Sequence, residues 1–175
     1  SNNYVVEIDY TIVSGDGLTL TNMPLPQDLQ AGFHNIKLKA IGDSSNHISS
    51  NYTQPLSIQK LAVAENLKVS NGQIVWDKVS NVSQYQVSIL YSVNGEIQED
   101  ILSTADVTFN LNSSLDKTYD AGAYSVRIKA IGKDNFTIDS DYSVGLSVTK
   151  LGSPTLKVEE GKIQPVSIEN AEKIE

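Results

Sequence analysis

The sequence predicts an all-β protein built of repeated two-sheet sandwiches, and three observations predict it. Apolar and polar residues alternate with period two through several short runs, the mark of strands with one buried face. Asn-Gly and other Gly-, Ser- or Asp-containing turn signals separate those runs. The chain also repeats itself: AGFHNIKLKAIG at 31–42 returns as AGAYSVRIKAIG at 121–132, an offset of 90 residues.

The register of that match continues. Ile48, Ser50, Tyr52, Leu56, Ser57, Lys60 and Leu61 answer Ile138, Ser140, Tyr142, Leu146, Ser147, Lys150 and Leu151. One residue out of register, ENLKVSNGQI at 65–74 answers PTLKVEEGKI at 154–163, and Tyr4–Tyr10 is similar to Tyr85–Tyr91. The Lys-Leu pairs at 60–61 and 150–151, each followed by a short Ala/Gly/Pro-containing segment, mark the junctions. The expected organisation is a partial repeat in 1–60 carrying C-terminal strands, a complete repeat in 61–151, and a partial repeat in 152–175 carrying N-terminal strands.

The complete repeat yields its elements in order. Leu67–Val69 and Ile74–Trp76 flank the Asn71-Gly72 turn and read as the first two strands. Tyr85, Val87, Ile89, Tyr91 and Val93 form one face of the third, with Gln86, Ser88 and Ser92 opposite. Ile97–Leu102 and Val107–Leu111 follow as the fourth and fifth. Tyr124, Val126, Ile128 and Ala130 face inward from the sixth, opposed by Ser125, Arg127 and Lys129, and Val144–Val148 closes the set. About seven short strands in roughly ninety residues make a sandwich.

At this point the chain resembles fibronectin type III domains, a class of immunoglobulin-like sandwich. The resemblance is carried by Trp76 after its Asn-Gly turn, by Tyr85-x-Val87, and by Gly122–Ala130 as the penultimate strand. It implies that Trp76 fills the core centre beside Tyr85, and that the Tyr124 hydroxyl bonds back to backbone as a corner. The Lys-Ala-Ile-Gly…Ser-Asp-Tyr-Ser ending of 129–143 is most similar to repeats of bacterial surface proteins, which implies an extracellular, secreted or cell-surface setting. Two positions depart from the pattern: His34 stands where Tyr124 predicts tyrosine, and Pro165 where Trp76 predicts tryptophan.

Composition narrows the functions. A formal charge of −8 repels phosphate backbones and anionic membranes, and no basic patch offsets it, so nucleic acid is not an expected partner. The apolar runs are far shorter than the roughly 20 residues that cross a bilayer, so no membrane insertion is expected. Zero cysteines remove disulfides and thiolate chemistry. The two histidines, His34 and His47, lie outside the complete repeat, and no nucleophile, phosphate-loop or zinc-hydrolase motif occurs. No catalytic residue, metal ligand or cofactor is expected, and the protein is read as not an enzyme.

One loop stands out. Asp134, Asn135, Phe136, Asp139 and Asp141 lie between the last two strands of the complete repeat and form the candidate partner-binding loop. Alternating oxygen ligands can wrap calcium, but the first repeat offers Ser44, Ser49 and Asn51 at the places of Asp134, Asp139 and Asp141, so a solvated loop is the plainer reading. Phe136, matched by Asn46, either anchors a partner or folds down onto its own or a neighbouring repeat. A sugar platform would draw on Tyr52, Tyr119 and Tyr142, since Trp76 is assigned to the core. Sequons occur at Asn51, Asn81, Asn112 and Asn135, a weak signal because a chain this rich in Asn, Ser and Thr yields about two or three by chance.

The expected function is a non-catalytic structural spacer or adhesion stalk in a larger protein, with neighbouring repeats as its partners. The alternative is an accessory module that binds an extracellular protein or glycan through the Phe136 loop. A further expectation follows from the repeat phase: incomplete sandwiches at head and tail would leave apolar faces and open edges, so the tail of one copy would complete the head of another by strand addition.

Overall fold

The computed structural model describes residues 3–9, 11–14, 25–43, 45–112 and 119–165. Tyr10, Ser44, the serines of the Asn112 sequon and residues 166–175 lie outside the described residues. Among those described are fourteen strands and no helix. The first seven are β1 (Asn3–Ile8), β2 (Thr11–Ser14), β3 (Gly32–Ile41), β4 (Leu56–Lys60), β5 (Lys68–Ser70), β6 (Gln73–Val75) and β7 (Val82–Val93). The others are β8 (Glu96–Thr104), β9 (Thr108–Phe109), β10 (Gly122–Gly132), β11 (Thr137–Ile138), β12 (Leu146–Lys150), β13 (Leu156–Glu159) and β14 (Lys162–Pro165).

Contacts divide the chain into two units. The first is Ser1–Val63 with Val79–Ser83 and Ala130–Asp141; the second is Ala64–Lys78, Gln84–Lys129 and Tyr142–Glu175.

The first unit holds a five-stranded sheet in the order β11-β4-β3-β1-β2. All its pairs are antiparallel except β11 on β4, which is parallel. Register places Val6 opposite Leu38 and His34 opposite Ile58, so period-two alternation gathers Val6, Ile8, His34, Ile36, Leu38 and Ile58 on one face. Val6 and Ile8 are 4% exposed and Ile58 6%. On the same face Leu56 is 51% exposed, and the edge of β4 is paired by β11.

The second unit contains two sheets, β12-β10-β7-β8 and β5-β6-β9, together with the hairpin β13-β14. This is the sandwich arrangement in which the fourth strand, β8, joins the sheet of the third, sixth and seventh. Tyr85, Val87 and Ile89 on β7 and Tyr124, Val126 and Ile128 on β10 are buried on one sheet, as are Ile74 and Trp76 from the other. The Trp76 and Tyr85 rings meet edge to face at 5.4 Å between centroids. Hairpin register is set by turn chemistry: Asn94-Gly95, with φ of 54° and 86°, makes the two-residue turn that pairs Val93 with Glu96.

Two residues outside the predicted inward-facing sets are buried. Ser88 falls on the polar face of β7 yet is fully buried, because Arg127 and Glu99 close over it. Tyr119 is 2% exposed and packs edge to face against Tyr91 and Tyr124 at 5.9 and 5.6 Å, with its hydroxyl donating to Asp100. At the tail, Leu156, Val158 and Ile163 are 71%, 72% and 72% exposed, so the β13-β14 hairpin does present apolar side chains.

Candidate functional site

The candidate loop runs from the end of β10 to β12, and its Ala130–Asp141 part belongs to the first unit. It begins with a close approach. A Cβ on Gly132 would stand 2.3 Å from the Thr137 carbonyl oxygen, so only glycine lets the backbone fold back here. Asp134 then closes the turn: its carboxylate accepts from the Phe136 amide at 3.0 Å and the Thr137 hydroxyl at 2.6 Å. The Thr137 hydroxyl, helped by the Phe136 amide and nearby Lys133, holds the Asp134 carboxyl below the usual aspartate range.

The remaining acids point elsewhere. Asp139 accepts from the Gly132 amide at 2.9 Å, and Asp141 receives the Lys60 ammonium at 3.2 Å. Each carboxylate is thus engaged by a different partner. Among the described residues no group of three His, Cys, Asp or Glu side chains is placed to hold a metal ion. Asn135 is exposed at the turn.

Phe136 divides between its two readings. Its carbonyl accepts from the Gln59 amide at 2.8 Å, and the Ile138 carbonyl accepts from Leu61 at 2.9 Å, which makes the parallel β11-β4 pair. The ring nevertheless stays 55% exposed. Further side chains fasten the same segment. Ser83 donates to the Ile131 and Gly132 carbonyls, and Lys133 binds Asn81, which in turn donates to Gln59. The sequence marks Lys60 only as a junction residue and Asn81 and Ser83 only as a sequon, and the pairing of β11 with β4 through backbone amides leaves no side-chain signature.

The repeat is written into these bonds. Ser140 and Ser143 hydroxyls accept from the Ala130 and Ile128 amides at 2.8 and 3.0 Å, and Ser50 and Thr53 do the same for Ala40 and Leu38 at 3.0 and 3.1 Å. Asp139 on Gly132 is matched by Ser49 on Gly42. Side-chain oxygens substitute for ladder carbonyls where the chain beside β3 and β10 is not strand. The recurrence of these small hydroxyl residues at the repeat offset was the available signal.

The other singled-out residues have structural surroundings. Trp76 is 4% exposed with its indole nitrogen unpaired among the described residues, and the Tyr124 hydroxyl donates to the Asp120 carbonyl at 2.7 Å. His34 places one ring nitrogen 2.8 Å from the Gln30 carbonyl and the other 2.5 Å from Asp9. The Asn35 amide and His34 hold the Asp9 carboxyl low. His47 sits 2.7 Å from Asp43, whose carboxylate also accepts three backbone amides and is depressed far below the ordinary range. Tyr142 lies beneath the Arg127 guanidinium at 4.9 Å, Tyr52 lies beneath Lys39, and Tyr119 is buried, so these three tyrosines form no shared platform.

No family model matches the chain, and no curated protein matches it. Among solved structures it is similar to the chicken CNTN1 FN1–FN3 domains, at 13% identity and a TM-score of 0.34. The match covers 85% of this chain and 55% of that one, so the chain spans about half the length of the structure it matches. The strand order of the second unit itself shows the fold class: an all-β, two-sheet sandwich of the immunoglobulin-like kind.

Proposed function

We propose that the chain is a non-catalytic spacer or adhesion-stalk module of a larger secreted or cell-surface protein. One observation carries this reading: the loop that holds the candidate recognition residues is used to build the first unit. Its backbone pairs with β4, and its three carboxylates are occupied by Thr137 and Phe136, by Gly132, and by Lys60. Leu61 and Ala64, in the short segment that follows the first repeat, are buried at 1% and 2% exposure.

Limited proteolysis tests it. A native chain should resist cleavage at 61–64, whereas early cutting there overturns the stalk reading. The half-exposed Phe136 ring supports the second reading, an accessory module for an extracellular protein or glycan. Saturable binding in a glycan and matrix-protein screen, lost in Phe136→Ala, would replace the first reading with the second.

A further inference from the structure

Strands β4 and β12 occupy the same place in two repeats, 90 residues apart. Each ends a set of strands in the same order, β4-β3-β1-β2 and β12-β10-β7-β8. Their registers also agree, with Gly32 opposite Lys60 and Gly122 opposite Lys150. On β4 the amides of Gln59 and Leu61 face away from β3 and are taken by β11. By the same register, the amides of Thr149 and Leu151 face away from β10. Among the described residues no strand pairs with that side of β12. Against it lies a groove of about 340 Å³, lined by Val69, Ile74, Leu111, Val148, Thr149 and Leu151 among others.

The geometry points to β12 as an acceptor strand for one occupant: an extended segment of the Asp-Asn-Phe-Thr-Ile kind, supplied by a further repeat and added in parallel. The occupant is identified by what covers β4, where the Asp134 turn presents Phe136–Ile138 to the strand edge. Open edges invite pairing, and parallel addition satisfies the outward amides while the groove receives an apolar side chain. The inference rests on the repeat reading under the proposed function, and it extends that reading from one observed junction to a rule for the next.

The test is residue-resolved amide hydrogen exchange on two proteins: the native chain, and the chain with a second copy of residues 62–151 inserted after Leu151. In the native chain Gln59 and Leu61 should exchange slowly and Thr149 and Leu151 quickly. In the extended chain Thr149 and Leu151 should slow by roughly tenfold or more. Replacing residues 134–138 of the added copy with Gly-Ser-Gly-Ser-Gly should abolish that slowing while the copy's Val87 and Ile89 amides stay protected. A folded added copy with Thr149 and Leu151 still fast overturns the inference and leaves the repeat reading intact. Slowing that survives the Gly-Ser replacement assigns the edge to another occupant, such as the β13-β14 hairpin, and also overturns it. An added copy that does not fold removes the repeat reading and the inference together.

Discussion

At the repeat offset, the Tyr124 hydroxyl and the His34 ring each reach the carbonyl four residues back, Asp120 and Gln30. Tyrosine does this with one donor on an apolar ring. Histidine brings a second nitrogen, which Asp9 meets on β1's turn. The substitution that the sequence marks as a departure is therefore a change of chemistry at an unchanged bond. Tyr124→Phe should keep the packing against Tyr91 and Tyr119 and lose only the hydroxyl, for a cost of about 1 kcal/mol in a urea titration. Trp76→Ala, which empties the centre of the sandwich, should cost about 3–5 kcal/mol by the same measurement. A Tyr124→Phe cost as large as the tryptophan truncation would show that the corner acts through more than its hydrogen bond.

At the scale of elements, the ends of β3 and β10 are finished by one device used twice. A glycine admits a carbonyl five residues on, and hydroxyl oxygens then take the strand's amides. The added Cβ would approach the His47 carbonyl to 2.0 Å at Gly42 and the Thr137 carbonyl to 2.3 Å at Gly132. Because these obstacles are backbone, Gly132→Ala should displace the loop and cost about 1–3 kcal/mol, read as a lowered unfolding midpoint and faster exchange of the Gln59 and Leu61 amides. Unchanged exchange at those amides would separate the glycine from the β11-β4 pair. The strands themselves were legible: the runs Ile97–Leu102 and Ile74–Trp76 overlap β8 and β6, since alternation and Asn-Gly turns act locally. The parallel pairing of β11 was not legible, since it rests on backbone groups.

For the whole molecule, acid is the informative variable. Asp9, Asp43 and Asp134 all lie in the first unit, and all have folded pKa values below the ordinary 3.8. A group depressed in the folded state stabilises fully above its unfolded value, and that stability is lost as pH falls through the folded value. The first unit should therefore hold constant stability near neutrality and weaken as pH drops below about 4. Its amide signals in urea titrations across that range check this, and Asp43→Asn with Asp134→Asn should flatten the slope. Trp76, the single tryptophan, reports on the second unit in the same titrations. A first unit whose midpoint ignores pH in that window would show that these carboxylates are not bound as described.

The sequence by itself determined the all-β class, the strand runs, the turns and the repeat offset, because each depends on neighbours a few residues apart or on comparing one copy with another. Only the tertiary structure decided which edges are paired. It laid Phe136–Ile138 along β4, spread Asp134, Asp139 and Asp141 over separate partners, and closed Arg127 and Glu99 over Ser88. Those outcomes depend on groups distant in the chain meeting through backbone amides or single side chains, and such meetings carry no local period or motif.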